Sequence, residues 1–174
     1  AVGKNISMFK SGDEVVGDLA AYGFGGFAEY VVAPEKAWVL KPANLSFEEA
    51  SAIPMAGLTA LQALRNKGKI SEGQKVLIAG SGGGVGTMAI QLARYFGAEV
   101  TAVCSNKNVE QSKLLGAADV IDYTKTDFTR TEKRYHLILA VNGNRSLATY
   151  RRILTPKGIY VMVGGALPQI FSSL

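Results

Sequence analysis

The chain has 174 residues, 48% hydrophobic and 19% charged, a balance typical of a folded protein rather than a disordered one. Its formal net charge of +5 suits a phosphate-bearing ligand as well as a nucleic acid, but its basic residues are scattered, so we expect no nucleic-acid partner. It has no apolar run of ~18–20 residues, no signal-peptide pattern and a single cysteine, which excludes an internal disulfide. We therefore predict a cytoplasmic protein without membrane segments.

Residues 1–45 are predicted to be β-rich. The segments EVVGDL (residues 14–19) and FAEYVVAP (residues 27–34) contain many β-branched and aromatic residues. Each follows a turn signal, KSGDE in the first case and YGFGG in the second. Both segments are therefore predicted to be short strands.

Two helices are predicted next. In LSFEEASAIP, Ser46 and Glu49 have the spacing of a capping box, which predicts a short helix that stops before Pro54. The segment MAGLTALQALRNKG then predicts a second helix that ends at Gly68.

From residue 75 onward the pattern alternates between strands and helices. Near-continuous apolar runs predict strands at residues 75–80, 98–105, 119–123, 135–141 and 158–165. Helical patterns lie between them, at residues 85–97, 108–116 and 145–154. Such alternation predicts an α/β fold, a doubly wound parallel sheet with helices on both faces.

A glycine cluster separates the first of these strands from its helix. Five of the seven residues from Gly80 to Gly86 are glycine, which is typical either of a flexible linker or of a turn where the backbone approaches a ligand. The strand–turn–helix context and the spacing Gly80, Gly83, Gly86 favour a dinucleotide site over a merely tight turn. We expect the main chain of residues 81–86 to bind a diphosphate, with Ser81, Gly83, Gly84 and Val85 as contacts.

The end of the second strand of this βαβ unit indicates the coenzyme. A site for NAD commonly has an acidic residue there, which binds the ribose hydroxyls. This chain has Ser105 and Lys107 in CSNKN, without an acid, and these side chains favour a 2′-phosphate. We therefore predict NADP(H), although Lys107 can also be read as an ordinary solvated lysine.

These segments together resemble a known family. The stretch GQKVLIAGSGGGVGTMAIQLAR is similar to the cofactor signature of the quinone oxidoreductase branch of the medium-chain dehydrogenase/reductases, and FKSGDEVVGDL, GGFAEYVVAPE, KPANLSFEEASAIPMAGLTALQAL, LLGAADVIDY and PKGIYVMVGG agree with it. The resemblance covers essentially the whole chain. It departs from the family at Gly82, where alanine or serine is usual, and around His136 and Ala140, near which the family has aspartates.

The resemblance implies two domains. Residues 1–45 would be the end of a β-rich, GroES-like catalytic domain, and residues 46–174 a Rossmann domain that lacks its last strand. The chain is therefore expected to be a fragment of a longer protein. By the same resemblance, the full-length protein is expected to be a homodimer.

The resemblance also implies further cofactor contacts. Thr59 and the turn of Asn142 and Gly143 would border the nicotinamide, and Val163 and Gly164, followed by Gly165, would approach it from the last strand. Tyr123 would lie beside the adenosine phosphate, although packing at a strand end explains it almost as well. No proton donor stands out, because packing explains Tyr22 and Tyr30 better, so the catalytic residue is left unassigned.

Zinc-using relatives require a check for metal ligands. A catalytic zinc site needs about three histidine, cysteine or acidic ligands, and Met55 occupies the place where such relatives have a cysteine. Cys104 is better explained as a small core residue, and His136 as a surface or hydrogen-bonded histidine. We therefore predict no metal.

The resulting hypothesis is an NADPH-dependent oxidoreductase that transfers a hydride to a quinone or an α,β-unsaturated carbonyl compound. Such electron-poor small molecules accept a hydride without a metal, so the protein needs mainly to position them. The alternative is a dinucleotide-binding fragment or regulatory module without turnover. A nucleic-acid binder is supported only by the charge.

Overall fold

The computed structural model describes residues 1–164. The chain forms two compact units, one of residues Ala1–Met55 and one that begins at Ala56. The predicted domain boundary between residues 45 and 46 stays a prediction.

The first unit contains little regular structure. Strands β1 (Val15–Gly17) and β2 (Trp38–Leu40) pair antiparallel, with Val16 opposite Val39. Single 3-10 turns lie at Ala20–Tyr22 and Glu35–Ala37. In residues 1–55, Ala50 is the one hydrophobic side chain that is buried.

One strand prediction in this unit is wrong. Residues 27–34 form no strand, and Phe27, Tyr30 and Val32 are almost fully exposed. A strand is stable only when a neighbour satisfies its backbone groups, and among the described residues β1 pairs with β2 instead. The composition of residues 27–34 indicates a preference for extended backbone, but it does not indicate which strand would pair with them.

Both predicted helices after residue 45 are confirmed. Helix α1 (Phe47–Ser51) begins with the capping box: the Glu49 amide donates to Ser46 Oγ (3.2 Å) and the Ser46 amide to Glu49 Oε2 (2.9 Å). Helix α2 (Pro54–Leu61) begins at the proline and continues as π-helical turns, Gln62–Lys67, up to Gly68. The π-helical geometry was not predicted.

The second unit is built on a parallel sheet. Its strands are β3 (Lys75–Ala79), β4 (Glu99–Cys104), β5 (Asp119–Asp122), β6 (Tyr135–Ala140) and β7 (Leu154–Met162), in the order β5-β4-β3-β6-β7. The helices between them are α3 (Gly84–Tyr95), α4 (Val109–Leu114) and α5 (Leu147–Arg152). No helix within residues 1–164 is both long and apolar enough to cross a bilayer.

Helices cover both faces of this sheet. On one face, Ala89 and Ile90 of α3 pack with Val76 and Ile78 of β3 in a fully buried cluster. On the other face, Tyr150 in α5 and Ile153 just after it belong to a cluster with Leu77, Val103 and Ile138. The predicted α/β fold, a Rossmann sheet preceded by residues of a β-rich domain, is confirmed.

Candidate functional site

The glycine turn connects β3 to α3. Gly80 has a left-handed backbone (φ +93°), which favours glycine, and a Cβ there would lie 2.9 Å from the Asn142 amide nitrogen. A Cβ on Gly86 would collide with the main chain of Gly80 and Ser81. These glycines therefore let the first turn of α3 pack directly on the loop.

Gly83, in contrast, faces open space. It is the N-cap of α3, and no atom of the described chain lies within 4 Å of the position of its Cβ. No described side chain accepts a hydrogen bond from the first amides of the helix. The first amide of α3 with a backbone acceptor is that of Thr87, which donates to the Gly83 carbonyl (2.9 Å). The amides of residues 84–86 are thus left for an external acceptor, at the positive end of a 12-residue helix.

Ser81 points away from this opening. Its amide donates to the Val103 carbonyl (3.0 Å), and its buried hydroxyl lies 3.3 Å from Ser112 Oγ. Both polar groups are engaged inside the protein and anchor the turn to β4 and α4. Neither group is therefore free to bind the coenzyme, and the prediction of Ser81 as a ligand contact is not kept in the proposal.

Asn108 explains the unusual glycine at position 82. A Cβ on Gly82 would collide with the Asn108 side chain, whose Nδ2 also lies 3.5 Å from Ser105 Oγ. The amide of Asn108 thus takes the space beside the turn. Sequence analysis missed this residue because the contact joins two loops that only the parallel sheet brings together.

The residues predicted to bind the adenosine phosphate lie around the ends of β4 and β5. Ser105 directly follows β4, and the Tyr123 amide donates to the neighbouring Cys104 carbonyl (3.0 Å). Lys107 lies in the adjoining 3-10 turn, exposed and without an ion-pair partner within residues 1–164. The fold therefore brings these three predicted residues into one region.

A second lysine belongs to the same region. Lys125 Nζ lies 3.4 Å from Asn106 Oδ1 and 3.9 Å from Asp122 Oδ2. The Thr124 hydroxyl donates to Asp122 Oδ1 (2.7 Å) and lowers the pKa of this carboxyl group, so Asp122 stays ionised. The signal for Lys125 was its position just after β5, because neighbouring parallel strands end at the same edge of the sheet.

The residues predicted to border the nicotinamide gather at the ends of β6 and β7. The Gly143 amide donates to the Gly164 carbonyl (3.1 Å), the Val163 amide to the Ala140 carbonyl (2.9 Å), and the Asn142 amide to the Ala79 carbonyl (3.2 Å). The Asn142 main chain thus links these strand ends to the glycine turn. Gly165 lies outside the described residues.

Thr59 lies on α2, half-buried. It is three residues after Ala56, whose Cβ lies 3.6 Å from the position of a Cβ on Gly84. Because residues three apart share a helix face, Thr59 lies on the side of α2 that faces the start of α3.

The donor atoms of the described residues do not fit a zinc ion. Cys104 is buried at the end of β4, 3.7 Å from Ser112 Oγ, and His136 Nδ1, at the start of β6, accepts from the Lys75 amide (3.0 Å). These two side chains lie at opposite ends of the sheet, and Met55 offers only a thioether. Within residues 1–164 no group of three or more histidine, cysteine or acidic residues is placed to hold a metal.

Two curated plant proteins are similar in sequence. A chloroplast envelope quinone oxidoreductase homolog from Arabidopsis thaliana is 46% identical over 127 residues, which cover 70% of this chain and 39% of that protein. A 2-methylene-furan-3-one reductase from Solanum lycopersicum is 40% identical over 174 residues, 95% of this chain and 44% of that protein. The chain thus spans less than half the length of either relative.

Structural and family comparisons agree with these relatives. The structure of the quinone oxidoreductase from Coxiella burnetii superimposes with a TM-score of 0.83 and 33% identity, over 91% of this chain and 50% of that one. The family model described as "Zinc-binding dehydrogenase" matches residues 84–173. The chain therefore belongs to the zinc-binding dehydrogenase family within the medium-chain dehydrogenase/reductase superfamily, and it is similar to the quinone oxidoreductases of that superfamily.

Proposed function

We propose that the protein is an NADPH-dependent oxidoreductase that reduces a quinone or an α,β-unsaturated carbonyl compound without a metal ion. The observation that carries the proposal is the uncapped start of α3 behind the open face of Gly83. The amides of Gly84, Val85 and Gly86 would donate to the coenzyme diphosphate, as helix N-termini commonly do for anions.

The proposed preference for NADPH rests on the charges around Ser105. The hydroxyl of Ser105 and the ammonium groups of Lys107 and Lys125 would meet a 2′-phosphate. The ionised Asp122 carboxylate, 3.9 Å from Lys125 Nζ, offsets one of these two positive charges and leaves that of Lys107. Tyr123, which follows Asp122 and is 48% exposed, would cover the adenosine.

The chemistry of the acceptor follows from what these residues can supply. The bound coenzyme would provide the hydride, and the main chain at Asn142, Gly143 and Gly164, with Val163 and Thr59, would position its nicotinamide. Because the donor atoms of residues 1–164 do not fit zinc, we propose an acceptor that is already electron-poor, whose oxygen takes a proton from water. The names of the Arabidopsis and tomato relatives support the quinone and enone classes.

The alternative is a module that binds the coenzyme without turnover. Loss of NADPH absorbance on addition of a quinone would identify the enzyme, whereas binding without this loss would identify the module. A homodimer of the full-length protein and a cytoplasmic location stay predictions. The name of the Arabidopsis relative refers to the chloroplast envelope.

The variant Gly83→Val tests the diphosphate contact. The valine side chain would enter open space, so the fold is kept while the approach of a phosphate is blocked. We expect NADPH to bind at least about tenfold more weakly, a change of ~1.4 kcal/mol, in a calorimetric titration. Gly26→Val is the matched control, because a Cβ on Gly26 also meets no atom within 4 Å. Unchanged affinity in Gly83→Val would contradict the proposal.

The variant Ser105→Asp tests the coenzyme preference. A carboxylate at this position would repel the 2′-phosphate and accept from ribose hydroxyls, so the ratio of NADPH to NADH affinity should fall by about tenfold or more. Ser105→Asn is the control of similar size without charge. An equal fall in both variants would show that charge at this position does not select the coenzyme.

A further inference from the structure

A cavity lined by arginines lies on the face of the sheet opposite helix α3. It has a volume of about 510 Å³ and lies between α5 and residues 127–134, which lead from β5 to β6. Helix α3 packs in the buried cluster on the opposite face. The cavity and the glycine turn share no lining residue.

Positive charge dominates the walls of this cavity. Four arginines line it, Arg130, Arg134, Arg145 and Arg152, against one carboxylate, Asp127. The difference is a surplus of three positive charges. Like charges repel one another in a shared cavity, so this arrangement favours an anion that neutralises them.

Asp127 offsets only one of the four arginine charges. The Thr129 hydroxyl donates to its Oδ1 (2.7 Å) and lowers the pKa of the carboxyl group, which therefore carries its single negative charge. Arg130 Nε (3.6 Å) and Arg145 Nη2 (3.9 Å) both approach this carboxylate. Arg134 and Arg152 have no carboxylate partner within residues 1–164.

Two of the guanidinium groups are held in place before any ligand arrives. Arg134 Nη1 lies within hydrogen-bond distance (2.9–3.1 Å) of three successive carbonyl oxygens, those of Thr131, Glu132 and Lys133, which share its two protons. The Arg145 guanidinium lies 5.9 Å from the ring centroid of the buried Phe128. Groups that are already oriented lose less entropy when they bind a ligand.

We propose that this cavity binds a phosphate-bearing small molecule separate from the coenzyme. Guanidinium groups match phosphate oxygens in paired hydrogen bonds. The Thr131 hydroxyl in the wall adds a donor, because it accepts from the Lys133 amide (3.1 Å) and keeps its own proton. The volume exceeds that of a bare phosphate and is typical of pockets that hold a small organic ligand. A phosphate ester with two or more negative charges therefore fits the cavity in size and charge.

An NMR titration of the ¹⁵N-labelled chain with inorganic pyrophosphate tests this site. Saturating NADPH is present throughout, and the position of the shifting amides reports where pyrophosphate binds. We expect the amides of Thr129, Thr131 and Thr149 to shift and saturate. Arg152→Gln should weaken this binding by roughly fivefold, because it removes one charge-assisted contact.

Arg151→Gln provides the matched control. Arg151 is exposed on the same helix and carries the same charge, but it does not line the cavity. Its replacement should change the affinity less than about twofold. Each of three results would overturn the proposal: equal effects of the two variants, shifts confined to residues 83–86, or shifts that do not saturate. These three readouts do not depend on whether NADPH itself binds.

Discussion

The two units of the chain differ sharply in how they use hydrophobic residues. Residues 1–55 expose large apolar side chains such as Phe24, Phe27 and Tyr30, and bury only Ala50. The second unit buries most of its three central strands, and Leu77, Ile78, Leu137 and Ile138 are inaccessible to solvent. Both units are rich in β-branched and aromatic residues, so composition alone does not distinguish them.

The difference shows which sequence signals suffice by themselves. A parallel strand buried on both faces needs a long apolar run and neighbours on each side, and the second unit supplies both from its own residues. A half-buried strand depends on a particular partner, and residues 27–34 have none among the described residues. The β propensity of a segment therefore predicts a strand well only where other described residues supply the neighbouring strands.

The largest expected effect comes from the core of the second unit. Leu77→Ala removes a fully buried side chain and should lower the free energy of unfolding by about 2–5 kcal/mol, measured by urea denaturation. Val39→Ala, at a position 60% exposed in the first unit, should change it by no more than about 0.5 kcal/mol. Similar losses in the two variants would contradict the contrast between the units.

A smaller effect is expected within the glycine turn. Gly86→Ala places a methyl group against the Gly80 and Ser81 main chain and should cost about 1–3 kcal/mol through overpacking. Gly83→Ala meets no atom and should cost under about 1 kcal/mol, because only the N-cap preference changes. Thermal unfolding of both variants measures the difference. If Gly83→Ala were the more destabilising, the assignment of open and packed glycines would be wrong.

The smallest effect concerns a local signal in the first unit. Ser46→Ala removes the hydroxyl that caps α1 and should destabilise this helix by about 1 kcal/mol. Amide exchange of Glu49 and Ala50 should accelerate, whereas exchange of amides in β3 should stay unchanged. Ser51→Ala, whose hydroxyl donates to the Glu48 carbonyl, serves as the comparison within the same helix. Equal acceleration by both variants would argue against the capping box.

The sequence predicted those parts of the site that depend on backbone rules. The glycine spacing identified the strand–turn–helix unit, and the end of the second strand indicated Ser105. The family resemblance implied Tyr123 and Asn142, which the parallel order of the strands brings to the same edge as Ser105. It did not predict the inward turn of Ser81, which depends on a hydroxyl partner 31 residues away. Asn108 beside Gly82 and the arginines around Asp127 were missed for the same reason, because contacts between loops leave no periodic pattern.

A crystal structure of the chain with NADPH tests the central claim most directly. The account predicts that the amide nitrogens of Gly84, Val85 and Gly86 lie about 2.7–3.2 Å from diphosphate oxygens. The 2′-phosphate should lie among Ser105, Lys107 and Lys125. A coenzyme bound elsewhere, with these three amides still facing solvent, would contradict it.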